Sequence, residues 1–195
     1  MIDMNRFRQE SGFTLVELFI AVTVMALLLS VGIPSFQATV NNNRRTAQVN
    51  EFVTSLTLAR SEALKRGNAV TVCRASNFSA AVPTCGNGNG WEDGWVVFND
   101  ENGDGSPNNA IDVLRLSEPV QGNNITLRGE ANVATRVLYA ATGRVGAPTA
   151  GNATIGNIVW CDARGAGDNA RVINIAATGR ITTTAGNAGT NCTPP

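Results

Sequence analysis

The chain has 195 residues, with 15 basic and 15 acidic side chains and no histidine, so its formal net charge is zero. That length suits one domain with an appendage and is enough to bury a core. The missing histidine excludes Ser-His-Asp and Cys-His catalysis, histidine general bases and histidine-ligated metals.

Residues 1–12 form a short polar leader carrying Arg6 and Arg8, and from Phe13 the chain turns apolar, with no charge between Leu18 and Ile33. As a helix, Phe13 to Ile33 spans ~31 Å, about one bilayer core. The two arginines hold the leader on the cytoplasmic side. Glu17 is a carboxylate inside the apolar run, which is costly in lipid without a purpose or a partner. An ordinary signal peptide has its small-residue cleavage site after the apolar core; here Gly12 comes before it. Cleavage after Gly12 leaves the hydrophobic segment on the mature protein, with a new amino group at Phe13. The bland alternative is a signal anchor with a stray glutamate.

Gly12-Phe13-Thr14-Leu15-Val16-Glu17 resembles the class III signal of type IV pilins and type II secretion pseudopilins. Pro34 stands where many pilins have a helix-kinking proline. The resemblance implies cleavage and N-methylation at Phe13 by a prepilin peptidase. It also implies that Glu17 neutralises the N-terminal amine of a neighbouring subunit during filament assembly. Such a pair fits the physics, because each charge offsets the other's desolvation.

Beyond Pro34 the helical pattern continues: Phe52, Leu56, Ala59 and Ala63 recur at 4-3-4 spacing, with Phe36 and Val40 before them. Gly67 after Lys65 and Arg66 is a stop signal with cations at the negative end. One helix is therefore expected from about 13 to 66. Its first half is membrane or filament core, and its second half is amphipathic and needs a globular domain to pack on. Seven strands follow, at 69–73, 95–98, 111–116, 125–128, 136–139, 158–161 and 171–175, separated by Asn- and Gly-rich turns. Their length and spacing suggest antiparallel sheets, with no second helix needed. Ala140-Ala141-Thr142-Gly143-Arg144 is echoed by Ala176-Ala177-Thr178-Gly179-Arg180. The echo reads either as two similar corners with Gly at φ > 0 or as a paired arginine surface.

Gly90-Trp91-Glu92-Asp93-Gly94-Trp95-Val96-Val97-Phe98-Asn99-Asp100 resembles the signature of the GspH/FimT family of minor pilins and pseudopilins. Ala59-Arg60-Ser61-Glu62-Ala63 is similar to that family's helix end. Trp160-Cys161-Asp162-Ala163-Arg164-Gly165, Ala170-Arg171 and Thr178-Gly179-Arg180 resemble its C-terminal segment. The implied class is α+β: a long N-terminal helix packed on a domain of two antiparallel β-sheets. The organisation expected is a leader at 1–12, a hydrophobic membrane and filament-core helix at 13–40, and a periplasmic β domain at 41–195 that includes the amphipathic half of the helix. Four cysteines at wide spacing suit disulfides in an exported protein, with four buried thiols as the cytosolic alternative. Within the pilin picture sequence-local pairing, Cys73–Cys85 and Cys161–Cys192, is the simplest arrangement.

Asp100-Glu101-Asn102-Gly103-Asp104-Gly105 matches the start of an EF-hand loop, but the twelfth position, where a bidentate Glu is required, is Ile111. A polar hairpin loop is expected there, with weak calcium binding through Asp100, Asn102 and Asp104 as its alternative. No phosphate loop, nucleophile elbow or metal cluster appears, so neither catalysis nor a cofactor is expected. In some FimT-type proteins a C-terminal Gly-Arg-x-Arg motif contacts DNA. The matching stretch here is Gly179-Arg180-Ile181-Thr182, which keeps only Arg180. Arg144, Arg164 and Arg171 would enlarge a DNA-binding patch if the sheets bring them together; otherwise they are strand arginines paired with Asp162 and Asp168.

The zero net charge conceals a pattern. Residues 41–75 hold six basic side chains against two acidic, residues 91–118 seven acidic against one basic, and residues 128–180 six basic against three acidic. An acidic middle between basic flanks suits complementary subunit contacts and leaves room for a phosphate-binding face. The expected protein is a non-enzymatic minor pilin anchored once in the inner membrane, with a periplasmic domain, and incorporated into an extracellular pilus at its tip or priming complex. Its expected partners are other minor and major pilins, the prepilin peptidase, the inner membrane and, in a DNA-uptake alternative, DNA. An H-type minor pseudopilin of a type II secretion system is the other alternative.

Overall fold

The structure is a computed structural model describing residues 12–78, 80–86, 90–122, 124–146, 156–187 and 189–192. The leader up to residue 11, including Arg6 and Arg8, lies outside the described residues. Contacts divide the chain into two units, Met1–Thr46 and Ala47–Pro195.

One helix, α1 (Leu15–Arg66), runs through the boundary between them and continues through Pro34. It starts two residues later than Phe13 because Thr14 caps it: the Glu17 N–H donates to Thr14 Oγ1 at 3.2 Å. In the first unit its apolar side chains from Leu15 to Phe36 are exposed. By length and composition this segment is apolar enough to cross a membrane.

In the second unit the helix buries Val49, Phe52, Leu56, Ala59 and Ala63, a stripe at 3-4-3-4 spacing. The stripe faces two four-stranded antiparallel sheets. The first has the order β3 (Val113–Ser117), β2 (Trp95–Asn99), β1 (Val70–Arg74), β5 (Arg136–Tyr139). The second has the order β4 (Thr126–Gly129), β6 (Gly156–Cys161), β7 (Arg171–Ile175), β8 (Ile181–Ala185). Alternation along the strands sends Val70, Val72, Trp95, Val97, Val137 and Tyr139 of the first sheet into a core shared with Leu127, Ile158, Trp160, Ile173 and Ile175 of the second. Phe52 meets Trp91 and Trp95 edge-on, with centroids 5.1 and 4.9 Å apart. Burying a side chain of this size contributes about 1.5–3 kcal/mol.

The opposite faces of the sheets are covered by irregular chain, and each cover is tied down by a disulfide. Cys73 on β1 bonds Cys85, whose loop brings Phe78 over Val96 and Phe98. Cys161 at the end of β6 bonds Cys192 of the C-terminal segment. Two elements differ from the pattern read in the sequence. The strand expected at 111–116 begins at Val113, because Ala110–Asp112 form a single 3-10 turn closed by a capping box between Asn109 and Asp112. An eighth strand, β8, follows the second copy of the repeated corner and pairs with β7 from Ile175↔Ile181 to Arg171↔Ala185. Further single 3-10 turns lie at Trp91–Asp93 and Ala131–Val133.

Candidate functional site

At the N-terminus Gly12, Phe13 and Thr14 precede the helix, and Phe13 and Glu17 are exposed. Glu17 lies in the first turn, where the helix dipole favours a carboxylate. Thr14-x-x-Glu17 is also a capping-box spacing, a local signal that a reading of Glu17 as a misplaced charge overlooks.

The Trp91 motif proves to be structural. The buried Trp91 indole donates to the Val133 carbonyl at 2.9 Å. Glu92 accepts the Leu127 N–H at 2.9 Å and lies 2.5 Å from an Arg128 guanidinium nitrogen, tying the turn before β2 to β4 of the other sheet. Nearby Arg74 is largely buried, and burial, followed by the positive charge of Arg128, holds its pKa below the usual arginine value. Gly90 has no room for a side chain, since a Cβ there would sit 2.0 Å from the Glu92 carboxylate.

The EF-hand-like loop uses its own polar groups internally. Asp100 is fully buried, accepting the Thr71 hydroxyl at 2.8 Å and the Gly105 N–H at 3.2 Å. The Asn102 amide donates to Asp104 at 2.8 Å. The Ser106 N–H, then the Asn102 amide, hold the Asp104 carboxyl below its ordinary pKa, with Asn108 adding to the effect. Among the described residues no group of three or more Cys, Asp or Glu side chains is arranged to hold a metal.

The four candidate DNA-binding arginines fall into two pairs. Arg164 forks onto Asp162, with contacts of 2.6–3.1 Å. Arg171 donates to the Asp168 and Ala170 carbonyls at 2.6 and 2.7 Å. This pair lies at the start of β7. The corner bearing Arg180 leaves its other end, roughly 16 Å away at ~3.3 Å per residue. Arg144 and Arg180 are exposed, on corners that adjoin.

The two repeated corners have the same geometry. In the first, Ala140 N–H donates to Arg144 O at 2.9 Å and Gly143 N–H to Ala140 O at 2.8 Å; in the second, Ala176 N–H donates to Arg180 O and Gly179 N–H to Ala176 O at the same two distances. Gly143 and Gly179 have φ of 71° and 78°, which the turn requires. The corners also touch: Val145 N–H donates to Ala177 O at 3.1 Å. Arg60 of the helix joins both, with Nε donating to Gly143 O at 3.1 Å and Nη2 to Thr178 O at 3.0 Å. Sequence reasoning placed Arg60 only at a family-like helix end; the signal that it links the corners lies in the repeat, not beside Arg60.

The family model described as Type II transport protein GspH matches residues 48–179. Among solved structures, the Pseudomonas aeruginosa type IV minor pilin FimU in space group P21 is 21% identical, covering 73% of this chain and 90% of that one with a TM-score of 0.53. A second crystal form of the same pilin, in P65, gives 21% identity, 71% and 91% coverage and a TM-score of 0.49. The first of these likenesses shows a shared fold, one helix on two antiparallel sheets. No curated protein sequence matches the chain.

Proposed function

The chain belongs to the GspH family of pilin-like proteins, which are structural and not catalytic, and from that premise we propose that it is a minor pilin of a type IV pilus, acting in pilus assembly at the tip or priming complex. The observation that carries this reading is Gly12-Phe13 with Glu17 in the first turn of a long apolar helix. In this reading a prepilin peptidase cuts between Gly12 and Phe13 and methylates Phe13. The helix anchors the chain in the inner membrane, with residues 41–195 in the periplasm, until it enters the filament. There Glu17 pairs with the terminal amine of a neighbouring pilin, in an apolar setting where an unpaired charge is costly. The fold shared with a type IV minor pilin supports the pilus branch. Gly12→Val is expected to block processing, seen as an unshifted band. Glu17→Ala is expected to leave a processed membrane protein absent from sheared filaments; normal incorporation contradicts the assembly role.

A second reading, a minor pseudopilin of a type II secretion system, is favoured by the description of the family model itself. A deletion strain separates the two: loss of surface pili with normal protein secretion supports the pilus, and the reverse supports secretion. A DNA-uptake role would rest on Arg144 and Arg180, the two candidate arginines exposed on adjoining corners. A gel shift of the full chain that weakens in Arg180→Gln and weakens as salt rises is the expected sign of phosphate contacts. Salt-independent or absent binding contradicts that role.

A further inference from the structure

Among the described residues beyond Phe36, the exposed large hydrophobic side chains are Leu64, Ile111 and Leu116. Ile111 is 87% exposed, yet it is firmly presented. It sits in the middle of the 3-10 turn whose ends are closed by the Asn109–Asp112 capping box, with Asn109 N–H donating to Asp112 Oδ2 at 3.1 Å. The same loop carries Glu101, Asp104 and Asp112. The donors on Asp104 favour its charged form.

Leu64, 54% exposed, lies on the last turns of α1 against the first corner, with its methyl carbons 3.0–3.1 Å from where a Cβ on Gly143 would stand. That corner carries Arg144 and the adjoining corner Arg180, and Arg60 fixes both by its two hydrogen bonds. Both surfaces lie at one end of the first sheet. Val70 begins β1 and pairs with Asn99 and Tyr139, after which the acidic loop and the first corner leave the sheet.

We propose that this end is a self-docking surface, on which Ile111 and the acidic loop of one copy seat against Leu64, Arg144 and Arg180 of a second copy. Each patch has an apolar residue flanked by charge, and the charges of the two patches are opposite. That combination suits an anchor surrounded by a steering rim. Because each copy carries both patches at the same end, a two-fold arrangement satisfies both contacts at once. The zero net charge adds no overall repulsion between copies.

The test is photo-cross-linking of the full chain in its membrane, with a photoreactive amino acid in place of Ile111. The expected product is a dimer of this chain whose adduct maps to the Leu64 turn or the two corners. Glu101→Lys with Asp104→Lys lowers the yield by about tenfold or more through like-charge contact. Arg144→Glu with Arg180→Glu in a second, differently tagged copy restores it. No self-adduct, an adduct only to another chain, or a yield indifferent to charge reversal overturns the proposal.

Discussion

Arg60 donates to the Gly143 and Thr178 carbonyls, one on each repeated corner. Arg60→Met removes two charge-assisted hydrogen bonds and is expected to cost about 2–4 kcal/mol in denaturant unfolding. Gly179 tests the corner geometry more sharply. A Cβ there would stand 2.0 Å from the Gly143 carbonyl oxygen, whereas at Gly143 it would meet only the flexible end of Leu64 at 3.0 Å. Gly179→Ala should therefore destabilise by more than Gly143→Ala, although both residues have positive φ. Equal effects would show that turn conformation alone matters.

Tyr139, the single tyrosine, gives a pH test at the same scale. Among the described residues its buried hydroxyl has no hydrogen-bond partner, and burial pushes its pKa upward, partly offset by the Arg60 charge. The unfolded chain ionises first, so this group's contribution to stability is intact below an ordinary tyrosine pKa of ~10 and falls as pH rises beyond it. Tyrosinate absorbance should appear only as the protein unfolds, and Tyr139→Phe should remove this alkaline loss. Early, reversible tyrosinate formation in the folded state would contradict the assignment. The sequence places Tyr139 in a strand, but the burial of its hydroxyl appears only once the helix and both sheets are in place.

At the scale of elements, the helix stripe from Phe52 to Ala63 was readable because its 3.6-residue period survives intact. Seven strands were readable from β-branched runs between turns. β8 was not, because Thr182, Thr183 and Thr184 present no alternating apolar pattern: the strand lies at a sheet edge with Thr183 and Thr184 exposed. The start of β3 was misplaced for a related reason. Ile111 looks like a strand residue until the Asn109–Asp112 box turns the backbone there. The motif around Trp91 was legible as a family mark, but its work, carrying Glu92 across to β4, depends on long-range placement.

The disulfides belong to this scale too, because each secures an irregular segment over the outer face of a sheet. Cys161–Cys192 closes 31 residues of separation and Cys73–Cys85 closes 12. Chain entropy assigns ~3–4 kcal/mol to the longer loop and ~3 kcal/mol to the shorter. Cys161→Ser with Cys192→Ser should lower stability by about that larger amount and expose the C-terminal segment to proteolysis first. Proteolysis beginning elsewhere would show that the segment is held by other contacts.

For the whole molecule, composition alone gave a neutral chain with no histidine. The structure distributes that neutrality: several acids are used inside the fold, Asp100 and Glu92 among them, while Arg164 and Arg171 are occupied by their own loop. The charges left at one end of the folded unit, Glu101 and Asp104 against Arg144 and Arg180, are those suited to another subunit. Their placement at one end could not be read from linear spacing, since they come from three separate loops. The N-terminal motif is local and ordered in sequence, so its reading needs no fold. The central claim, that the chain is processed and built into a filament through its apolar helix, is tested most directly by mass spectrometry of this chain recovered from sheared surface filaments. The prediction is an N-methylated chain beginning at Phe13. A chain beginning at Met1, or one absent from the filaments and confined to the membrane, would contradict it.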